Sequence, residues 1–139
     1  MSKDPKLDRL HATPLFANCD PNELKHLVAI IDTVNVAEGS ELFREGRREQ
    51  FAYVVESGTA EVSVDGQIVA EIPEGEMIGE IGLLLSGPAS ATVTAKTAMS
   101  LLTIPRDRFG SVLEDTPGLG IAIAKELAQR LRNLDQKLH

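Results

Sequence analysis

The sequence predicts a small, mainly β domain, a barrel or sandwich, with helices before and after it. Three observations predict this. From about residue 33 to residue 105, short runs alternate apolar and polar residues, and glycine-containing turn signals separate them. Outside that region the apolar residues recur at helical spacing. One stretch, Ile78 to Ala95, interrupts the strands: two glycines flank a carboxylate, a short apolar run follows, and then a Gly-Pro loop. The 139 residues read as one domain, with a helical segment 1–32, a β region 33–105 and C-terminal helices 106–139.

In order along the chain, about Leu7 to Phe16 makes a short helix and a turn, with Leu7, Leu10, Leu15 and Phe16 as buried points. Asp20-Pro21-Asn22-Glu23 opens a second helix. Asp20 suits the N-cap, Pro21 the first helical position, and Glu23 would complete a capping box. Leu24, Leu27, Val28 and Ile31 follow on one face. Alternation begins near Thr33, and Glu38-Gly39 turns. Leu42 to Gly46 and Phe51 to Glu56 read as strands, with Ser57-Gly58 as the next turn. Ala60 to Val64 and Gln67 to Ile72 form a hairpin around Asp65-Gly66, a pair that tolerates positive φ. Met99 to Ile104 closes an expected set of eight strands. Arg106 to Glu114 makes a short helix with Phe109, Val112 and Leu113 inward, and Asp115-Thr116-Pro117 caps a long one, Gly118 to Leu138. Along it Gly120, Ala124, Leu127, Leu131, Leu134 and Leu138 recur by alternating four and three, which is a seam for a packed or paired helix.

The stretch at Ile78–Ala95 carries the chemistry. Gly79 and Gly82 leave the backbone bare around Glu80, and N–H groups at the start of a short helix favour an anion. A strand expected from Pro88 puts Ala89, Ala91, Val93 and Ala95 on one small apolar face and Ser90, Thr92 and Thr94 on the other.

Gly79, Glu80, Leu83, Leu84, Pro88, Ser90, Ala91, Val93 and Ala95 together resemble the phosphate-binding cassette of the cyclic nucleotide-binding domain family. That family includes the bacterial catabolite activator, the kinase A regulatory subunit and the cyclic nucleotide-gated channels. Gly39, Gly46, Gly58 and Gly75 match the loop glycines of its β-roll, and the resemblance begins at Leu15-Phe16. It implies a double-stranded β-helix, or jelly roll, with N-terminal helices and a C-terminal helix pair. It also implies a regulatory sensor with a cyclic nucleotide, cAMP or cGMP, as ligand. Gly79, Glu80, Ile81, Gly82, Ala89 and Ser90 would then line the ligand site. Glu80 would accept from the ribose 2′-hydroxyl, and the amides of Gly82 and Ser90 would meet the phosphate. Leu134 and Asp135 fall where the bacterial activators cover the base. Without the resemblance, Glu80 reads as a carboxylate at a helix start and Ser90 as a polar residue at a strand start.

Two positions depart from the pattern. Ile78 replaces an aromatic residue, and Ala89 stands where the family places the arginine that pairs with the cyclic phosphate. A charge-assisted pair of that kind contributes roughly 1.5–3 kcal/mol, about ten- to a hundredfold in affinity. Three explanations stand side by side: binding lost with the fold kept, a ligand anchored differently, or an alanine introduced at that position. Leu134 likewise replaces a polar residue.

Composition narrows the rest. A net charge of −7 disfavours a nucleic-acid surface or an anionic membrane as partner. The single cysteine, Cys19, reads as structural. No signal peptide or spanning segment is read, so a cytoplasmic location is expected. An enzyme is not expected. The histidines, His11, His26 and His139, lie outside the β region and read as surface residues, so no metal cluster or Ser-His-Asp set can be placed in the barrel. No cofactor is implied. In the bacterial activators a helix-turn-helix follows the long helix; none follows here, so no DNA reader is expected. Two functions remain: a cyclic nucleotide sensor weakened at Ala89, or a ligand-free interaction module that dimerises through its last helix.

Overall fold

The computed structural model describes residues 4–138. Helix α1 (Pro5–Ala12), a 3-10 turn (Pro14–Phe16) and α2 (Pro21–Val28) precede the strands. Then come β1 (Asp32–Val36), β2 (Glu41–Phe43), β3 (Phe51–Ser57), β4 (Ala60–Val64), β5 (Gln67–Ile72) and β6 (Met77–Ile78). The short helix α3 (Glu80–Leu84) leads to β7 (Thr92–Ala95) and β8 (Met99–Pro105), and the described chain finishes with α4 (Arg106–Asp115) and α5 (Pro117–Leu138).

The eight strands form two antiparallel sheets, ordered β1-β8-β3-β6 and β2-β7-β4-β5. Sequence neighbours β1 and β2, and β7 and β8, lie in different sheets, so the chain crosses between layers as a jelly roll does. This is the fold class expected.

In sheet β1-β8-β3-β6 the central strands β3 and β8 are buried on both faces, while β1 at the edge is mostly exposed. Val55, Ile78, Met99 and Leu101 face the inside of the roll, with Leu42, Phe43, Ala60, Val93 and Ala95 opposite. Ala52, Val54, Leu102 and Ile104 face outward into a second core built by the helices: Leu10, Phe16, Leu24, Leu27, Phe109, Leu119 and Ile123. This is why β3 and β8 read as nearly unbroken apolar runs, while β5, at an outer edge, is exposed along its length up to Ile72. Phe16 and Phe109 meet at 6.5 Å and tie the N-terminal segment to α4. Cys19 is buried in the same core, and burial pushes its thiol up to about 11.

Several local expectations change. The carboxylate of Asp20 does cap α2, accepting from the Asn22 amide at 2.8 Å. Glu23 does not complete a capping box; its carboxylate lies against Gly118, where a Cβ would overlap it. It thus places a negative charge at the positive end of α5. Thr116 contributes its carbonyl to the Leu119 amide at 3.0 Å, while its hydroxyl is buried without a hydrogen bond. The strand expected from Pro88 begins only at Thr92, because Ala89 is held by loop residues instead: its amide donates to Arg47 O at 2.9 Å and its carbonyl accepts from Gly46 at 2.8 Å. Strand β2 stops at Phe43 rather than reaching Gly46. Asp65 and Gly66 both take positive φ, 51° and 81°, as the hairpin reading requires. His11 and His26 are exposed; His139 lies outside the described residues.

Helix α5 docks by Leu119 and Ile123, one position away from the Gly120–Ala124 start of the expected seam. Further along, the helix rises off the body: Leu127 still touches the core, but Leu131, Leu134 and Leu138 are 67%, 57% and 81% exposed. Truncating Ile123 to alanine is therefore expected to cost about 2–5 kcal/mol in denaturant unfolding, whereas Leu131→Ala should change stability by less than about 0.5 kcal/mol.

Candidate ligand cavity

The cavity is built around one backbone reversal. Strand β6 ends at Ile78, and Gly79 takes φ 81° to start α3. The ring of Phe43, from β2 in the opposite sheet, lies directly on the bare Gly79 backbone, where a Cβ would overlap it. Both the dihedral and the approach require glycine here. Leu83 then anchors α3 in the helical core, which leaves Glu80, Ile81 and Gly82 facing the space between the sheets.

That space is a cavity of about 430 Å³. One wall is the turn Gly79–Gly82. Another is the loop Gly87–Ala91, continued by Val93 of β7. Phe43, Val62, Ile72 and Ile78 supply apolar floor. Of the residues expected at the site, Gly79, Glu80, Ile81, Gly82, Ala89 and Ser90 all border it. Leu134 and Asp135 do not: they sit in the last turns of α5, away from the cavity, because the helix has left the body by Leu131. The Gly82 amide already donates to Gly79 O at 3.1 Å, so it is not an unengaged donor as expected, and α3 is only five residues long.

Three charged side chains border the cavity. Glu49 is largely buried and takes a two-point pair from Arg47, with Nε to Oε2 at 2.9 Å and Nη2 to Oε1 at 3.4 Å. Its hydrogen bond and charge raise the Arg47 pKa above the usual arginine value. Glu80 accepts from Arg130 Nη1 at 3.0 Å. Arg130 also donates through Nε to Glu126 at 3.2 Å, so α3 is tied to α5 by a three-residue ion chain. Burial lowers the Arg130 pKa, but Glu80 and then Glu126 outweigh it and leave it raised. The third is Arg106, the first residue of α4. Its Nε donates to Gly82 O at 2.7 Å, Nη1 to Glu49 O at 2.7 Å and Nη2 to Leu85 O at 3.5 Å. A Cβ on Gly82 would stand 2.9 Å from the Arg106 guanidinium carbon, so the second glycine of the turn makes room for this side chain.

Sequence reasoning missed Arg106 and Arg130. The i,i+4 spacing of Glu126 and Arg130 was readable as a helix pair, but nothing local in the sequence directs Arg130 to Glu80 or Arg106 to Gly82.

The profile of the family described as "Cyclic nucleotide-binding domain" matches residues 33–116, which contain the cavity and all of the roll but its first residue. The chain belongs to the cyclic nucleotide-binding domain family. Potassium/sodium hyperpolarization-activated cyclic nucleotide-gated channel 4 of Homo sapiens is 31% identical over 124 residues. That match takes in 89% of this chain and 10% of the channel, so the chain spans only a small part of that relative. The N-terminal domain of a transcriptional regulator from Streptomyces coelicolor A3(2) superposes with a TM-score of 0.82 at 33% identity, covering 95% of this chain and 96% of that one. The regulatory domain of Toxoplasma gondii PKA, crystallised with cAMP, superposes with a TM-score of 0.72 at 28% identity, over 82% of this chain and 47% of that one. The family is regulatory and ligand-binding, not catalytic. Among the described residues no helix is long and apolar enough to cross a membrane.

Proposed function

We propose that this domain is a cyclic nucleotide sensor whose affinity is lowered by Ala89. The observation that carries the reading is that the cavity is bounded jointly by the turn Gly79–Gly82 and the loop Gly87–Ala91, the two halves of the cassette. At about 430 Å³ it falls within the size range of small-molecule sites, roughly 300–1,000 Å³. A cAMP or cGMP molecule there would place its ribose toward Glu80 and its phosphate toward Ala89 and Ser90. The Glu80–Arg130 pair gives occupancy a physical route to α5, since a ribose hydroxyl on Glu80 competes for the same carboxylate. Base cover by Leu134 and Asp135 would need the last turns of α5 to move over the cavity.

Isothermal titration of cAMP and of cGMP into this chain and into Ala89→Arg tests the proposal. The restored arginine is expected to tighten binding at least about tenfold. Equal affinities would remove Ala89 from the phosphate position, and no binding by either protein would end the sensor reading.

A second reading has its own observation. Leu131, Leu134 and Leu138 form an exposed apolar stripe on the free end of α5, suited to a second copy of the chain. Light scattering should then give a mass above monomer that falls in Leu131→Glu, with the β-roll still folded by circular dichroism. A wild-type chain that stays monomeric at high concentration would dismiss this reading.

A further inference from the structure

The charges around the cavity do not balance. Glu49 is neutralised by Arg47 and Glu80 by Arg130, neither of which is among the residues that border the cavity. Arg106 is different. Its guanidinium is half-buried and its hydrogen bonds go only to carbonyl oxygens, those of Gly82, Glu49 and Leu85. Among the described residues no carboxylate pairs with it. A guanidinium offers five N–H groups. Three are engaged here, one of them weakly at 3.5 Å, so two remain. The side chain also stands at the positive end of α4, where the helix dipole disfavours a cation and favours an anion. A partly desolvated cation without a counter-charge is costly, and a planar fork already fixed by two 2.7 Å bonds is organised to receive one.

We infer that Arg106 supplies the positive charge that this cavity offers to an anionic ligand, in place of a cation at position 89. The inference rests on the cavity being the ligand site, and it names the ligand class: a small monoanion carrying an apolar or aromatic body, with the anionic group within reach of Arg106 at the α4 start. The two N–H groups left, one on each Nη, suit an oxyanion, since a guanidinium bonds the oxygens of a phosphate or carboxylate more strongly than a neutral donor does. Gly82 belongs to the same device. A Cβ there would force the Arg106 guanidinium to shift from its place against the turn.

The test compares a charged probe with its neutral counterpart, cAMP with adenosine, on the folded chain by isothermal titration. The wild-type chain is expected to prefer cAMP by about tenfold or more. Arg106→Gln should reduce that preference to about threefold or less by weakening cAMP, with adenosine little changed. Arg106→Lys keeps the charge and loses the fork that braces Gly82 and Glu49; it should retain most of the preference even if its melting temperature falls. A purely structural arginine would weaken both probes together in Arg106→Gln, and that result overturns the inference. So does a wild-type chain that binds adenosine as tightly as cAMP, a measurement that needs no variant to fold. If the wild-type chain binds neither probe, Arg106 does not suffice and the inference fails. Binding of cAMP by Ala89→Arg in that case would keep the sensor reading, and its absence would end that as well.

Discussion

The contact between the Phe43 ring and the bare backbone of Gly79 is the constraint from which the rest of the site follows. Phe43 belongs to one sheet, and Gly79 ends a strand of the other. Their approach sets how closely the two layers come at that end of the roll. It also fixes where the chain reverses from strand to helix, because the left-handed dihedral at Gly79 turns α3 across the opening rather than along the sheet. Once α3 is set, Leu83 fastens it to the helical core, and Glu80, Ile81 and Gly82 border the cavity. A side chain at residue 79 would overlap the Phe43 ring and strain the reversal together, since it fails on both dihedral and space.

Around that reversal the fold holds its parts by two different kinds of force. Apolar burial on both faces of β3 and β8 locks the roll to α1, α2, α4 and the first half of α5. Polar contacts do the finer positioning. Arg106 ties Gly82 and Leu85 to Glu49 across the cavity rim, and Arg130 ties Glu80 to the second half of α5. The second half has little apolar anchorage, as the exposure of Leu131, Leu134 and Leu138 shows. Its position is therefore set in good part by an ion pair that is about one-third exposed, worth roughly 0.2–1 kcal/mol. The Glu80–Arg130 pair thus joins the second half of α5 to a carboxylate that borders the cavity.

The sequence made most of this legible where local chemistry decides the structure. The Asp65-Gly66 hairpin, the Asp20 cap and the Gly79–Glu80–Gly82 turn are each set by a few adjacent residues, and each is found as read. The readings that shifted depend on distant partners. Glu23 left its capping box for Gly118, a residue far along the chain. Pro88 to Ala91 look like a strand start by alternation, but Gly46 and Arg47 take the hydrogen bonds of Ala89 as a loop. The α5 seam was read from its spacing alone, and spacing does not say which of two neighbouring stripes meets the core; Leu119 and Ile123 do. Arg106 and Arg130 were invisible for the same reason, since their roles lie in contacts 24 and 50 residues away.

The central claim is that the cavity behind Gly79 is where this domain meets its ligand. Backbone amide shifts recorded by NMR during a titration with cAMP test it most directly. The account predicts that the largest changes cluster at Gly79–Gly82, Ala89–Ala91 and Arg106, with smaller ones along α5 beyond Leu127. Changes confined to the exposed edge strand β5 or to α1 and α2, or no change at millimolar cAMP in either this chain or Ala89→Arg, would contradict it.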